Sequence, residues 1–202
     1  MTHTANHPPA SLAALSLAVA VAACALAAPR AARADDTIRR PGDHPSYPVE
    51  IEPHAVFGWG GIYATGGFGL GGRFSIPIVA NGFVPTINNS VGVTFGLDWV
   101  HYGQCWYAGN CDANYFDLPV AMQWNFYVAQ RFSVFGEPGA VIYFGSYPDC
   151  PLMPNLCPSS RPPTTGVEPA LFLGGRYHFN DQTALVVRIG FPAFSVGVSF
   201  FP

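Results

Sequence analysis

The sequence predicts an all-β fold, an antiparallel up-and-down transmembrane β-barrel of about eight strands. Three observations carry this reading. Apolar and polar residues alternate at period two through most of the chain, and every charge in the predicted strands falls on the polar phase. The connections alternate between short and long. Beyond the N-terminal segment, no stretch supplies the roughly 18 consecutive apolar residues of a membrane helix. Successive side chains of a strand point to opposite faces. The alternation therefore puts charge on one face of the sheet and apolar side chains on the other. An apolar outside around a charged inside reverses the plan of a water-soluble barrel and is the pattern of a transmembrane one.

The N-terminal segment comes first. Ala10–Ala28 is an alanine-rich apolar run, followed by Ala32-Arg33-Ala34 and then Asp35-Asp36. That is the h-region and small-residue cleavage site of a secretory signal peptide, predicting a leader over 1–34. Val21-Ala22-Ala23-Cys24 offers a competing lipobox, which would lipidate Cys24, but the apolar run continues past it through Ala28. An uncleaved anchor helix is the third option, and the run is barely long enough to span. Residues 35–48 carry Arg39, Arg40, Pro41, Gly42, Pro45 and Pro48 and read as an extended, polar lead-in without core residues. The barrel is expected over 49–202.

Charged residues make up only 10% of the chain, against about a quarter in a soluble domain. All nine basic residues are arginine. Arg30 and Arg33 fall in the leader, which leaves seven arginines against all twelve acids and a net charge of −5. That balance gives no reason to expect nucleic-acid binding.

The predicted strands follow in order. The first is Val49–Trp59. In Gly67–Ile78, Phe68, Leu70, Phe74, Ile76 and Ile78 oppose Gly69, Gly71, Arg73 and Ser75. In Val91–Val100, Val91, Val93, Phe95, Leu97 and Trp99 oppose Thr94 and Asp98. In Asn114–Val128, Phe116, Leu118, Val120, Met122, Trp124 and Phe126 oppose Asp117, Gln123 and Asn125. In Phe132–Phe144, Val134, Ala140, Ile142 and Phe144 oppose Ser133, Glu137 and Tyr143. In Gly166–Phe179, Val167, Leu171, Leu173, Tyr177 and Phe179 oppose Glu168, Arg176 and His178. Thr183–Gly190 sets Leu185, Val187 and Ile189 against Arg188, and Ala193–Phe201 sets Phe194, Val196, Val198 and Phe200 against Ser195, Gly197 and Ser199.

Ala129–Arg131 and Asn180–Gln182 are short turns, whereas His101–Ala113 and Gly145–Thr165 are long loops. Short periplasmic turns and longer outer loops are the habit of outer-membrane barrels. Parity then puts both long loops outside. Val79–Ser90 is longer than a periplasmic turn needs, and the outer turn at Phe191-Pro192 is short. Each long loop holds one cysteine pair, Cys105 with Cys111 and Cys150 with Cys157. An even count in an exported chain suggests disulfides, and of three connectivities the two local bridges are the simplest. The spacings are not those of a zinc site, and no metal is expected.

The end of the chain carries a resemblance. Phe194-x-Val196-x-Val198-x-Phe200 resembles the terminal aromatic-ended strand that barrel-assembly machinery recognises, although Phe201 and Pro202 follow it. Gly174-Gly175-Arg176-Tyr177-His178-Phe179-Asn180-Asp181 resembles a strand–turn segment of small porin-like barrels, and Phe132–Gly139 resembles the strand before it. Over about 49–201 the chain thus resembles the small eight-stranded outer-membrane β-barrels of the OmpA/OmpX type. The resemblance implies a location in the cell outer membrane. It is a family of adhesins, membrane-stabilising proteins and a few lipid-modifying enzymes.

The inward phase holds Arg73, Asp98, Asp117, Glu137, Glu168, Arg176 and Arg188. An eight-stranded barrel is narrow enough for its side chains to fill it, and buried charge without a partner is costly. These groups should pair into an ionic plug, with Glu137, Glu168, Arg176 and Arg188 at its core and Asp98 and Asp117 near the outer mouth. A narrow ion path is the alternative. Asp98 and Asp117 fall nearly opposite, which calls for an arginine such as Arg73, a proton or a cation between them. Asp98 and His101 point to opposite faces of a regular strand, and no serine stands beside His101 or His178, so no catalytic site is expected. The glycines of 66–72 lack the GK[ST] of a phosphate loop and read as relief of crowding in a curved sheet. Trp59, Trp99, Trp106 and Trp124 supply aromatic girdles.

The expectation is a non-enzymatic integral outer-membrane barrel, without cofactor, serving a structural or surface-interaction role. Its partners would be outer-membrane lipid and the barrel-assembly machinery, and it would be a monomer. A small passive pore is the first alternative. A periplasmic lipocalin-like binding barrel is the second, and it would require an apolar interior.

Overall fold

Eight antiparallel strands close on themselves in a computed structural model that describes residues 36–58, 66–105, 109–146 and 164–202. They are β1 (Glu50–Gly58), β2 (Gly67–Val79), β3 (Asn89–Cys105), β4 (Gly109–Ala129), β5 (Phe132–Ser146), β6 (Thr165–Asn180), β7 (Thr183–Phe191) and β8 (Ala193–Phe200). Each pairs with its sequence neighbours, and β1 with β8 completes the cylinder, so the sheet closes on itself. The leader predicted over 1–34 lies outside the described residues.

The outside is apolar. Leu70, Ile78, Val167, Leu171 and Leu173 are each 57% or more exposed, and they belong to a continuous outward row on every strand. Along β6 the row runs from Val167 to Phe179. At strand rise that is about 40 Å, or roughly 30 Å once tilted, close to the apolar band of a membrane barrel. Rings mark both ends. Phe57, Phe68, Trp99, Phe116 and Phe144 face outward at the end of the long loops, called the upper end here, and Phe132, Tyr177, Phe179 and Phe200 at the lower. Trp59 and Trp106 lie outside the described residues.

The strand heights are unequal. β4 has 21 residues and β3 has 17, whereas β8 has 8. The stretch expected as a loop over His101–Ala113 is mostly ladder, with Tyr102 opposite Ala113 and Cys105 opposite Gly109. Loop-like composition there is overridden by continued pairing through an irregularity between Tyr102 and Gln104. The hairpin exceeds the roughly 9–11 residues a span requires and rises beyond the apolar row. The backbones of Cys105 and Cys111 stand in this ladder; the four cysteine side chains, and with them both expected disulfides, lie outside the described residues.

Two expectations change at the lower end. Val91, assigned to the outward apolar row, is only 1% exposed. It stands opposite Val79 and Trp124, where the β2–β3 connection folds back: Asn89 Nδ2 donates to Val84 O (2.7 Å) and the Phe83 ring meets Trp124 edge-on. The lead-in is not a coreless extended segment either. It opens with a 3-10 turn (Asp36–Arg39), Thr37 is 3% exposed, and Tyr47 packs on Phe201 at 4.6 Å.

Candidate functional site: the charged interior and its two mouths

Period two brings the polar residues of all eight strands into one lumen, and they fill it in layers. Lowest is Arg176, whose Nε and Nη2 donate to the two oxygens of Glu50 at 3.1 and 2.7 Å. Its Nη1 reaches Asn125 Oδ1 at 3.2 Å, and Ser199 donates to Glu50. Above lies Arg188, bonded to both oxygens of Glu52 (2.7 and 2.9 Å) and both of Glu137 (2.8 and 3.2 Å). Glu137 also accepts from Gln123 Nε2 at 2.8 Å and Arg73 Nη1 at 3.2 Å. Charge-assisted, bidentate pairs of this kind are the strong class of hydrogen bond. They also satisfy the polar valence of groups that burial strips of water.

Phe135 points inward between two of the guanidiniums, with Arg176 and Arg188 each 5.1 Å from its ring centre. An aromatic face attracts both cations and keeps the two like charges apart. Arg73 lies over Phe172 in the same manner, at 4.9 Å.

The third layer centres on His54. Its Nε2 is 2.9 Å from Asp98 Oδ1 and its Nδ1 is 3.2 Å from Glu52 O. Arg73 Nη2 stands 3.6 Å from the other oxygen of Asp98. Two glycines make room for the imidazole. A side chain at Gly71 would meet His54 Nε2 at 2.7 Å as well as Asp98, and one at Gly197 would meet His54 Cβ at 2.6 Å. The crowding that the sequence suggested around Gly66–Gly72 is thus concrete at Gly71. Above this layer the lumen turns apolar and aromatic, with Val56, Val100, Tyr102, Tyr115 and Tyr143 in one cluster and Val141, Ala170 and Phe172 in another.

The register sets Asp98 opposite Asp117 on β4. Asp98 is held by His54 and Arg73. Asp117 is half-buried and feels Asp98 and Glu168 as like charges, with no basic partner among the described residues. Glu168 is also half-buried and beside Asp117, above the arginine layers, so it is no part of the plug core to which the sequence assigned it. Its strand places it opposite Val141, two pleats above Phe172, which itself stands opposite Glu137. His101 leaves Asp98 altogether; its ring packs with Phe68 and Trp99, and its Nδ1 lies 3.3 Å from Asn114 Oδ1. His178 stacks on Phe201 at 5.2 Å. Among the described residues no group of three His, Cys, Asp or Glu is placed to hold a metal ion.

Besides Glu137, the plug draws on Glu50 and Glu52 as acid partners and on His54, all three on β1 and all absent from the inward charges named from the sequence. The signal was present: Glu50-x-Glu52-x-His54 alternates with Ile51, Pro53, Ala55 and Phe57. Phe135 gave no such signal, because an apolar residue on the polar phase looks like a break in the pattern.

Charge inside, apolar side chains outside and full closure define the class: an inside-out, filled, eight-stranded barrel. No family model matches the chain, and no curated protein does. Among solved structures it is similar to the outer membrane protein Ail of Yersinia pestis, at 11% identity and a TM-score of 0.45 over 77% of this chain and 99% of that one. It is also similar to the outer membrane protein OprG of Pseudomonas aeruginosa (12% identity, TM-score 0.45, 81% and 94% covered). A de novo designed transmembrane β-barrel matches at 13% identity and a TM-score of 0.44, with 81% and 98% covered. The description of the fold rests on this chain's own strand pairing and burial.

Proposed function

We propose that the chain is an integral outer-membrane β-barrel without enzymatic activity, closed by its interior ion network, and that its role is structural or one of surface interaction. The observation that carries this reading is the Arg188 layer. One guanidinium, 1% exposed, binds two carboxylates from opposite sides of the lumen, and Glu52 and Glu137 are themselves 1% and 0% exposed. A conducting path would need water at this height. The continuous apolar exterior supports residence in a bilayer, and outward rings at both ends suit its two interfaces. The charged interior speaks against a lipocalin-like carrier of apolar ligands.

On this reading the short turns and both chain ends face the periplasm, and the tall β3–β4 hairpin faces outward. The aromatic-ended β8 would be the segment that barrel-assembly machinery receives, lipid the surrounding partner, and the protein a monomer. Fractionation of expressing cells should find it in the outer membrane, and purified protein in planar bilayers should give no stable conductance steps. Release as a soluble periplasmic protein would overturn the membrane assignment. Stable steps that Arg188→Met leaves unchanged would favour the pore instead.

A further inference from the structure

Two features that look unrelated in the sequence meet at the lower mouth: the polar lead-in and the overlong β2–β3 connection, residues 80–88. We infer that residues 36–47 are a detachable lid over the lower mouth, and that the β2–β3 connection is its clamp. This goes beyond the proposed function and holds for the barrel whatever its role.

The grip is specific. Asn88 N donates to Ile38 O at 2.7 Å, and Asn88 Nδ2 donates to Asp43 O at 2.7 Å. His44 Nε2 donates to Ala80 O at 2.8 Å, and its ring stacks on Tyr127 at 4.4 Å with the planes 7° apart. Gly42, at φ +78°, lets the lead-in turn close against Asn81; a Cβ there would sit 3.0 Å from the Asn81 side chain. The connection is itself braced from behind, because Asn89 Nδ2 donates to both Val84 O and Ile87 O and Trp124 Nε1 donates to Asn89 Oδ1. A periplasmic turn of two residues could make none of these contacts. The extra length of 80–88 is what reaches across the mouth.

The lid explains a burial that the strands alone do not. Glu50 is the first residue of β1, yet it and Arg176 are 0% exposed. Tyr47 and Phe201 stand between this pair and the lower opening, with the Arg176 guanidinium 5.8 Å from the Phe201 ring. The hydroxyl end of Tyr47 is enclosed, and that burial raises the phenol well above its ordinary value.

Detachability follows from how the lid is held. It belongs to no ladder of the sheet, whereas every barrel strand is paired on both sides. Its closure also encloses polar atoms that find no partner among the described residues: Thr37 Oγ1 in the lid and Asn88 Oδ1 in the clamp. Burying such atoms costs free energy that opening returns. The lid is therefore less stable than the paired strands, of the kind that opens locally while the barrel stays folded. Opening admits water to the Glu50–Arg176 layer and no further, since Arg188, Glu52 and Glu137 still fill the next one.

Hydrogen–deuterium exchange on the whole mature protein in detergent micelles tests this. Asn88 N in the clamp and Asp43 N in the lid should exchange faster than the amides of the β7–β8 ladder. His44→Ala and Asn88→Ala should each speed exchange in 36–47 and 80–88 by about tenfold, the effect of one net hydrogen bond. Neither should alter the β7–β8 rates. His44 is half-buried at the rim, so its variant folds even if Asn88→Ala does not. Lid amides as slow as the β7–β8 ladder would mean that the lid opens only when the barrel unfolds, and would overturn the inference. So would lid exchange unchanged in His44→Ala.

Discussion

Arg188→Met is the sharpest perturbation of the plug. The substitution keeps an unbranched, apolar side chain of similar reach and deletes a guanidinium that makes five hydrogen bonds, two to Glu52, two to Glu137 and one to Ser195 at 3.3 Å. The two carboxylates lose unequally. Glu137 retains Arg73 at 3.2 Å and Gln123 at 2.8 Å. Among the described residues Glu52 retains only His54, at 3.5 Å. The variant therefore strands one buried carboxylate nearly unpaired, which costs about 3–5 kcal/mol. For a barrel of this size each kcal/mol moves the melting point by about 2–4 °C, so the fall should be roughly 6–20 °C. Adding Glu52→Gln removes the stranded charge, and the double variant should recover part of the loss. Thermal unfolding followed by circular dichroism in detergent micelles reads both. A melting point for Arg188→Met within error of the wild type would refute the reasoning, because it would mean that water already reaches Glu52 and the lumen is open.

Three further outcomes are expected. Glu168→Gln removes a half-buried acid that faces Asp117 as a like charge, so it should leave stability unchanged within about 0.5 kcal/mol or raise it slightly in the same melts; a large loss would return Glu168 to the plug. His54→Asn should destabilise, since His54 bridges Asp98 and Glu52, and Asp98→Asn in the same chain should restore part of the loss. A double variant less stable than His54→Asn would contradict the bridging role. Tyr47 has a phenol raised above its ordinary 10.0, so its contribution is complete below that value and fades as pH rises past it, because the unfolded chain then ionises first. Tyr47→Phe should flatten the alkaline fall in stability, and identical wild-type and variant profiles in alkaline melts would count against its enclosure under the lid.

Which side chains face lipid and which face the lumen is legible in the chain's alternation alone. Alternation is a property of the extended backbone, so phase is local and survives any error in strand ends. It placed Arg73, Glu137, Arg176 and Arg188 inside, and counting outward from one hairpin set Asp98 against Asp117. Tertiary structure alone decided who pairs with whom. Arg176 meets Glu50 across 126 positions and Arg188 meets Glu52 across 136, and neither contact runs along a ladder. Such neighbours depend on where the cylinder closes and how far its strands are staggered, which no single strand encodes. The same holds for Phe135, whose inward place is favourable only because two guanidiniums arrive on either side of it. It holds for the lead-in too. Its polar, proline-rich composition resists regular secondary structure, but whether it trails in water or covers a mouth depends on the distant carbonyls and rings of the β2–β3 connection and β4.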